Sequence, residues 1–150
     1  MRHGRFVRAF RQSLIAACVR HGFRVVHYCL QHDHCHVLIE ATDPKTLACG
    51  MKSLGARLAR AVNRVFAHTG PVLDGRYHHR VLGTPREVRH ALAYVLLNAR
   101  RHWVKAHGEA PPVVLDRASS AVWFEGWRGR SHDPPSRPRA LSGARKRAVW

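Results

Sequence analysis

The chain has 150 residues and 45% apolar content, which bounds it to one domain with a modest core. Lys and Arg number 26 against nine acids, a formal net charge of +17 that favours nucleic acid or an anionic surface as partner. No apolar run approaches the ~18 residues of a membrane span, and the four cysteines include no Cys-x-x-Cys pair, which argues for a reduced, cytoplasmic chain over a closed zinc site.

Residues 2–21 are expected to form a helix. Phe6, Val7, Phe10, Leu14, Ala17 and Cys18 fall on one face at ~3.6-residue spacing, and Gly22 is a stop signal. Arg2, Arg5, Arg8 and Arg11 fall on the other side, as a solvated face or as a DNA contact. The same stretch carries no cleavable apolar signal, in line with a cytoplasmic location. Phe23–Gln31 and Cys35–Ala41 read as strands joined by a tight connection at His32-Asp33, an antiparallel hairpin.

Asp43-Pro44 opens a second helix with Pro at its first position. Leu47, Met51, Leu54, Leu58, Val62 and Val65 share a narrow arc; Lys52, Arg57, Arg60 and Arg64 lie outside it, and Gly70-Pro71 ends it. Residues 72–83, VLDGRYHHRVLG, read as a third, extended strand. Arg76, Tyr77, His78, His79 and Arg80 on it combine cations with rings, a mixture suited to single-stranded or hairpin DNA, or a solvated strand face. Thr84-Pro-Arg-Glu87 is a capping box that starts a third helix, with Val88, Ala91, Leu92, Val95 and Ala99 as its buried arc and Gly108 as its stop. Trp123, Phe124 and Trp127 suit a short element packed back on the domain, and residues 128–150, with seven basic residues and one acid, a basic disordered tail. The order helix, strand, strand, helix, strand, helix implies an α+β fold with helices on an antiparallel sheet.

Alternate side chains of a strand share a face. His34 and His36 therefore point the same way, ~7 Å apart along the strand, with Leu38 on their face and Cys35, Val37 and Ile39 on the other. Two imidazoles can grip a divalent ion but are too few for a closed site, so the pair alone is compatible with a plain surface role. On the third helix Tyr94 and Asn98 lie one turn apart at the edge of the apolar arc, with Glu87, His90 and Arg101 beside them. Tyr94 is either a half-buried tyrosine or a nucleophile with an amide ligand one turn away. Tyr77 is a rival without such a neighbour, and Tyr28 is expected to pack in the sheet. A carboxylate two-metal nuclease is disfavoured because no set of the nine acids converges on the apolar elements.

With those residues in place, the chain resembles a known group. His34-Cys35-His36 followed by Val-Leu-Ile resembles the HUH motif, histidine–hydrophobe–histidine, and Tyr94-Val-Leu-Leu-Asn98 resembles the catalytic helix of single-tyrosine HUH transposases. The intervening GMKSLGARLARAVNRVFAHTGPVLDGRYHHRV is similar to the REP-associated tyrosine transposase branch, and the likeness covers roughly residues 5–127. The resemblance implies a ferredoxin-like core, with a catalytic domain over 1–110, a packed extension over 111–127 and the tail beyond. It implies His34, His36 and Asn98 as ligands of Mg²⁺ or Mn²⁺, and Tyr94 as the nucleophile that cleaves single-stranded DNA beside hairpins through a 5′-phosphotyrosine link. Arg57, Arg60, Arg64, Arg76, Tyr77, His79, Arg80 and Arg101 are the candidate DNA contacts, in a monomer or homodimer that is cytoplasmic and nucleoid-associated. Three positions depart from the pattern: Cys35 stands for an aliphatic, Asp33 for an asparagine, and the strand that precedes the first helix, central in a ferredoxin-like sheet, is expected to be missing. The alternative is a degenerate, non-catalytic DNA- or RNA-binding domain derived from such an enzyme.

Overall fold

A computed structural model describes residues 1–19, 21–75, 77–109 and 115–127, together with a two-residue strand at 148–149. The order is α1 (Gly4–Ala17), β1 (Phe23–Leu30), β2 (Cys35–Ala41), α2 (Pro44–Phe66), α3 (Pro85–His107), a 3₁₀ turn (Ser120–Trp123) and β3 (Ala148–Val149). The sheet order is β1-β2-β3, antiparallel throughout. This is the α+β arrangement that the sequence implies.

The helix starts are local chemistry. Asp43 caps α2 by accepting from the Thr46 N–H at 2.8 Å, with Pro44 at the first helical position. At α3 the Thr84 hydroxyl accepts from the Glu87 N–H at 3.2 Å, and the Glu87 carboxylate accepts from the Thr84 N–H at 3.0 Å, so the capping box is complete. Gly108 ends α3 with φ +74°, and Ala67, at φ 50°, ends α2 three residues before the expected Gly70.

The sheet has two different faces. Val25, Tyr28, Leu30, Val37 and Ile39 join Phe6, Phe10 and Leu14 of α1 and Leu47, Leu54 and Leu58 of α2 in the main core. Leu38, on the opposite face, packs with Leu82, Val88, Ala91 and Leu92 in a second, smaller cluster. Thus α1 and α2 cover one face and α3 lies on the other.

The third strand is not where the sequence suggests. Among the described residues of 72–83 no strand forms, and the third member of the sheet is Ala148–Val149, which pairs with Ile39 and Glu40. Two causes are visible. Gly70 and Gly75 sit at φ +94° and +65°, which turn the chain away from extended geometry. The polar run Tyr77–Arg80 also has no apolar alternation to bury, and it is exposed. The outer edge of β1 is already occupied: the Leu30 N–H donates to the Ala118 carbonyl at 2.9 Å, Cys29 bridges Ser119, and the Tyr28 N–H donates to the Ser120 hydroxyl at 3.0 Å. The expected tail over 128–150 lies outside the described residues apart from the strand at 148–149. Among the described residues no helix is long and apolar enough to cross a membrane.

Candidate active site

Strand alternation and helix packing converge on the Leu38 face. Cys29 of β1 stands opposite His36 of β2, and Leu38 continues the same row. The His34 and His36 rings meet edge-on with centroids 4.9 Å apart, and their Nε2 atoms are 3.2 Å apart. Tyr94 of α3 meets the other side of His36, centroids 5.0 Å apart and rings at 85°. The Arg101 guanidinium lies 5.3 Å from the centroid of the Tyr94 ring.

Asp33 fixes the direction in which His34 points. Its carboxylate accepts from His34 Nδ1–H at 2.7 Å, and this bond holds the Asp33 carboxyl below its usual range. With Nδ1 carrying the proton, Nε2 of a neutral His34 presents its lone pair toward His36. Burial, then His34 and His102, hold the His36 imidazole below its usual range, which favours the neutral form of His36 that can ligate. Cys35 packs into the main core on the opposite face, and burial pushes its thiol up to about 11. It is an inert thiol, as the strand parity implies.

Asn98 lies one turn beyond Tyr94 and is 2% exposed. Its Oδ1 is buried and has no hydrogen-bond partner. The Tyr94 contact with His36 and the approach of the Ala99 backbone to Cys29, opposite His36 in the ladder, bracket it against the strand pair. A buried amide oxygen without a donor is uncommon and fits a cation as partner. Among the described residues no group of three His, Cys, Asp or Glu side chains is arranged to hold a metal ion. Two imidazoles at the start of β2 and an amide oxygen on α3 are donor types that suit a divalent ion with open coordination positions rather than a closed tetrahedral site.

The candidate DNA-binding residues divide into separate places. Arg101 stands at the Tyr94 ring. Tyr77 and His79 are exposed and pair with each other, centroids 5.7 Å apart. Arg80 is bonded to Glu87 at 2.8 Å, which ties it to the start of α3. Glu87 thereby both caps α3 and holds Arg80. Arg57, Arg60 and Arg64 line a groove between α1 and α2, on the far side of the sheet. Arg76 lies outside the described residues.

In the sequence Asp33 stands out only as a departure from the expected asparagine; its adjacency to His34 is the available signal for an orienting role. Nothing there singles out His102 beyond its place two turns after Tyr94.

A family model described as "Transposase IS200 like" matches residues 2–82, more than half of the chain. The chain belongs to the IS200-like transposases. Membership implies DNA transposition and a DNA partner, as the resemblance to the single-tyrosine group leads one to expect. The match includes His34 and His36 of this transposase and ends before α3, so Tyr94 and Asn98 rest on the geometry above. No curated protein and no solved structure matches the chain.

Proposed function

We propose that this transposase cleaves and rejoins single-stranded DNA, with Tyr94 as nucleophile and His34, His36 and Asn98 as holders of one Mg²⁺ or Mn²⁺ ion. One observation carries the reading: the Tyr94 ring stands perpendicular on His36 at 5.0 Å, so nucleophile and imidazole pair share one face of the sheet. Had α3 packed on the opposite face, the two halves of the site would be separated by the sheet.

The bound ion supplies Lewis acidity at the scissile phosphate. The Tyr94 oxygen attacks phosphorus, forming an O–P bond as the P–O3′ bond breaks. The phenolic proton passes to solvent and the departing oxygen takes up a proton, leaving a 3′-hydroxyl. The 5′-phosphate stays on Tyr94, which conserves the phosphodiester energy, so attack by another 3′-hydroxyl rejoins strands without ATP. Arg101 sets a fixed positive charge beside the reacting tyrosine, where negative charge accumulates on the phosphate. It also borders a mainly apolar groove of about 540 Å³ on α3, lined by Ala93, Leu97, Arg100, Val104 and Lys105. Such an enzyme works in the cytoplasm, at the nucleoid.

The test is incubation with a single-stranded hairpin oligonucleotide and Mn²⁺. The expected product is a denaturation-resistant protein–DNA adduct that is lost in Tyr94→Phe. An adduct that persists in that variant moves the nucleophile elsewhere. No adduct with either protein, together with retained DNA binding, leaves a non-catalytic binding domain.

A further inference from the structure

The imidazole face of the sheet carries one more buried polar side chain. Gln31 is 5% exposed. Its N–H donates to the His34 carbonyl at 2.8 Å, so the two residues stand across the strand pair from each other. Tyr28 and Leu30 enter the main core, which leaves Cys29 and Gln31 on the opposite face, with His36 and Leu38. The Gln31 side chain turns back along that face, and its Nε2–H donates to Cys29 Sγ at 2.9 Å. The backbone of Ala99, next to Asn98, approaches the same sulfur. The Gln31 amide and the α3 turn that carries Asn98 therefore meet beside Cys29, directly across from His36.

A chain of hydrogen bonds sets which end of the amide is free. Arg2 donates to the Leu30 carbonyl at 3.0 Å and to Asp116 Oδ2 at 3.3 Å, and the Cys29 thiol donates to the same oxygen at 3.9 Å. Burial first, then the Asp116 carboxylate, push that thiol up to about 11, so it keeps its proton. With the proton directed at Asp116, the sulfur can only accept from Gln31, and the amide meets it with N–H rather than oxygen. Among the described residues no hydrogen bond is made to the Gln31 carbonyl oxygen. A side chain that only filled the space beside Cys29 would be better apolar, because a buried amide left half satisfied is costly. Mg²⁺ and Mn²⁺ prefer oxygen donors, whereas a pair of imidazoles without them suits Zn²⁺. We propose that Gln31 is a further holder of the divalent ion, its amide oxygen freed for the imidazole pair by the Arg2–Asp116–Cys29 chain. The assignment rests on the reading of His34, His36 and Asn98 as holders of that ion. It adds a second amide oxygen, from the strand that faces the histidines.

The test is isothermal titration of the full chain with Mn²⁺ and with Zn²⁺, without DNA. The parent is compared with Gln31→Met, Gln31→Glu and His34→Ala, each checked for folding by circular dichroism. Gln31→Met keeps the bulk beside Cys29 and removes the oxygen. Its Mn²⁺ affinity should fall about tenfold, a loss that even groups outside the ligand set can cause. Zn²⁺ affinity at the site abolished by His34→Ala should stay within about threefold. Gln31→Glu restores an oxygen and should bind Mn²⁺ more tightly than Gln31→Met; if Gln31→Met does not fold, Gln31→Glu should bind Mn²⁺ at least as tightly as the parent. Equal losses of Mn²⁺ and Zn²⁺ overturn the proposal, since they reduce Gln31 to packing. Mn²⁺ binding by Gln31→Glu below these marks overturns it as well. A parent that binds no Mn²⁺ removes the ion reading and Gln31 with it. Binding that is lost in His34→Ala and unchanged in Gln31→Met removes Gln31 alone. Neither DNA nor Tyr94 takes part in the titration, so the adduct assay succeeds or fails independently.

Discussion

Asp33 decides which nitrogen of His34 faces the partner imidazole. An ionised carboxylate only accepts, so it pins the proton on Nδ1 and leaves Nε2 as a donor atom for a cation. Asparagine at this position offers an N–H as readily as an oxygen, and the N–H would draw the opposite tautomer. Asp33→Asn should therefore weaken Mn²⁺ binding by about 10–100-fold, measured by isothermal titration. Unchanged affinity would mean that His34 is oriented by something other than its neighbour. This departure from the family pattern is thus a coherent one: the side chain that replaces the expected amide is well suited to hold the ligand. At His36, burial first, then His34 and His102, hold the imidazole below its usual range.

At the scale of elements, the hairpin and the three helices are legible because their signals are local. The cap at Asp43, the box at Thr84 and Glu87, and the alternation of Cys35–Ala41 each specify structure within a few residues. The strand expected at 72–83 fails because a strand needs a vacant edge, and no local pattern reports that Ser119 and Ala148–Val149 occupy both edges. The same limit applies to the candidate site. Helical periodicity places Tyr94 and Asn98 at the flank of the α3 arc, but not on which face of the sheet that arc lands. Leu38 settles it by packing against Ala91. One close contact sets how α2 approaches β1. A Cβ built on Gly50 would stand 2.1 Å from Cδ2 and 2.4 Å from Cγ of Phe23. The conflict reaches the base of a buried ring, so rotating its tip away does not relieve it. Gly50→Ala gains about 1 kcal/mol of helix propensity and meets an overpacking cost of about 1–3 kcal/mol. Net destabilisation is the expected outcome, read as a lower urea midpoint. A higher midpoint would show that α2 can shift off Phe23.

For the molecule as a whole, the two ends of the described chain are sewn together. Arg2 pairs with Asp116 and donates to the Leu30 carbonyl at 3.0 Å, and Arg11 donates to the Tyr28 hydroxyl at 2.8 Å and to the Arg117 carbonyl. Trp123 closes the seam, its ring against Tyr28 and 4.6 Å beneath the Arg11 guanidinium. Those contacts hold Asp116, Arg117 and Trp123 against α1 and β1. Trp123→Ala should cost about 3–5 kcal/mol of global stability, seen as a single shifted unfolding transition. A separate early transition would instead show that the strap melts by itself. The charge is also arranged globally. Arg57, Arg60 and Arg64 stand on the α1–α2 side and Arg100, Arg101 and Lys105 on α3, so cations flank the sheet on both faces and salt should tune DNA affinity far more than fold. The strap has one more consequence, which concerns other copies of the chain. Residues 118–120 satisfy the outward N–H groups of Tyr28 and Leu30, which an open strand would offer to any passing β-segment. A basic protein that is drawn to high local concentration along DNA is thereby kept from polymerising edge to edge through β1.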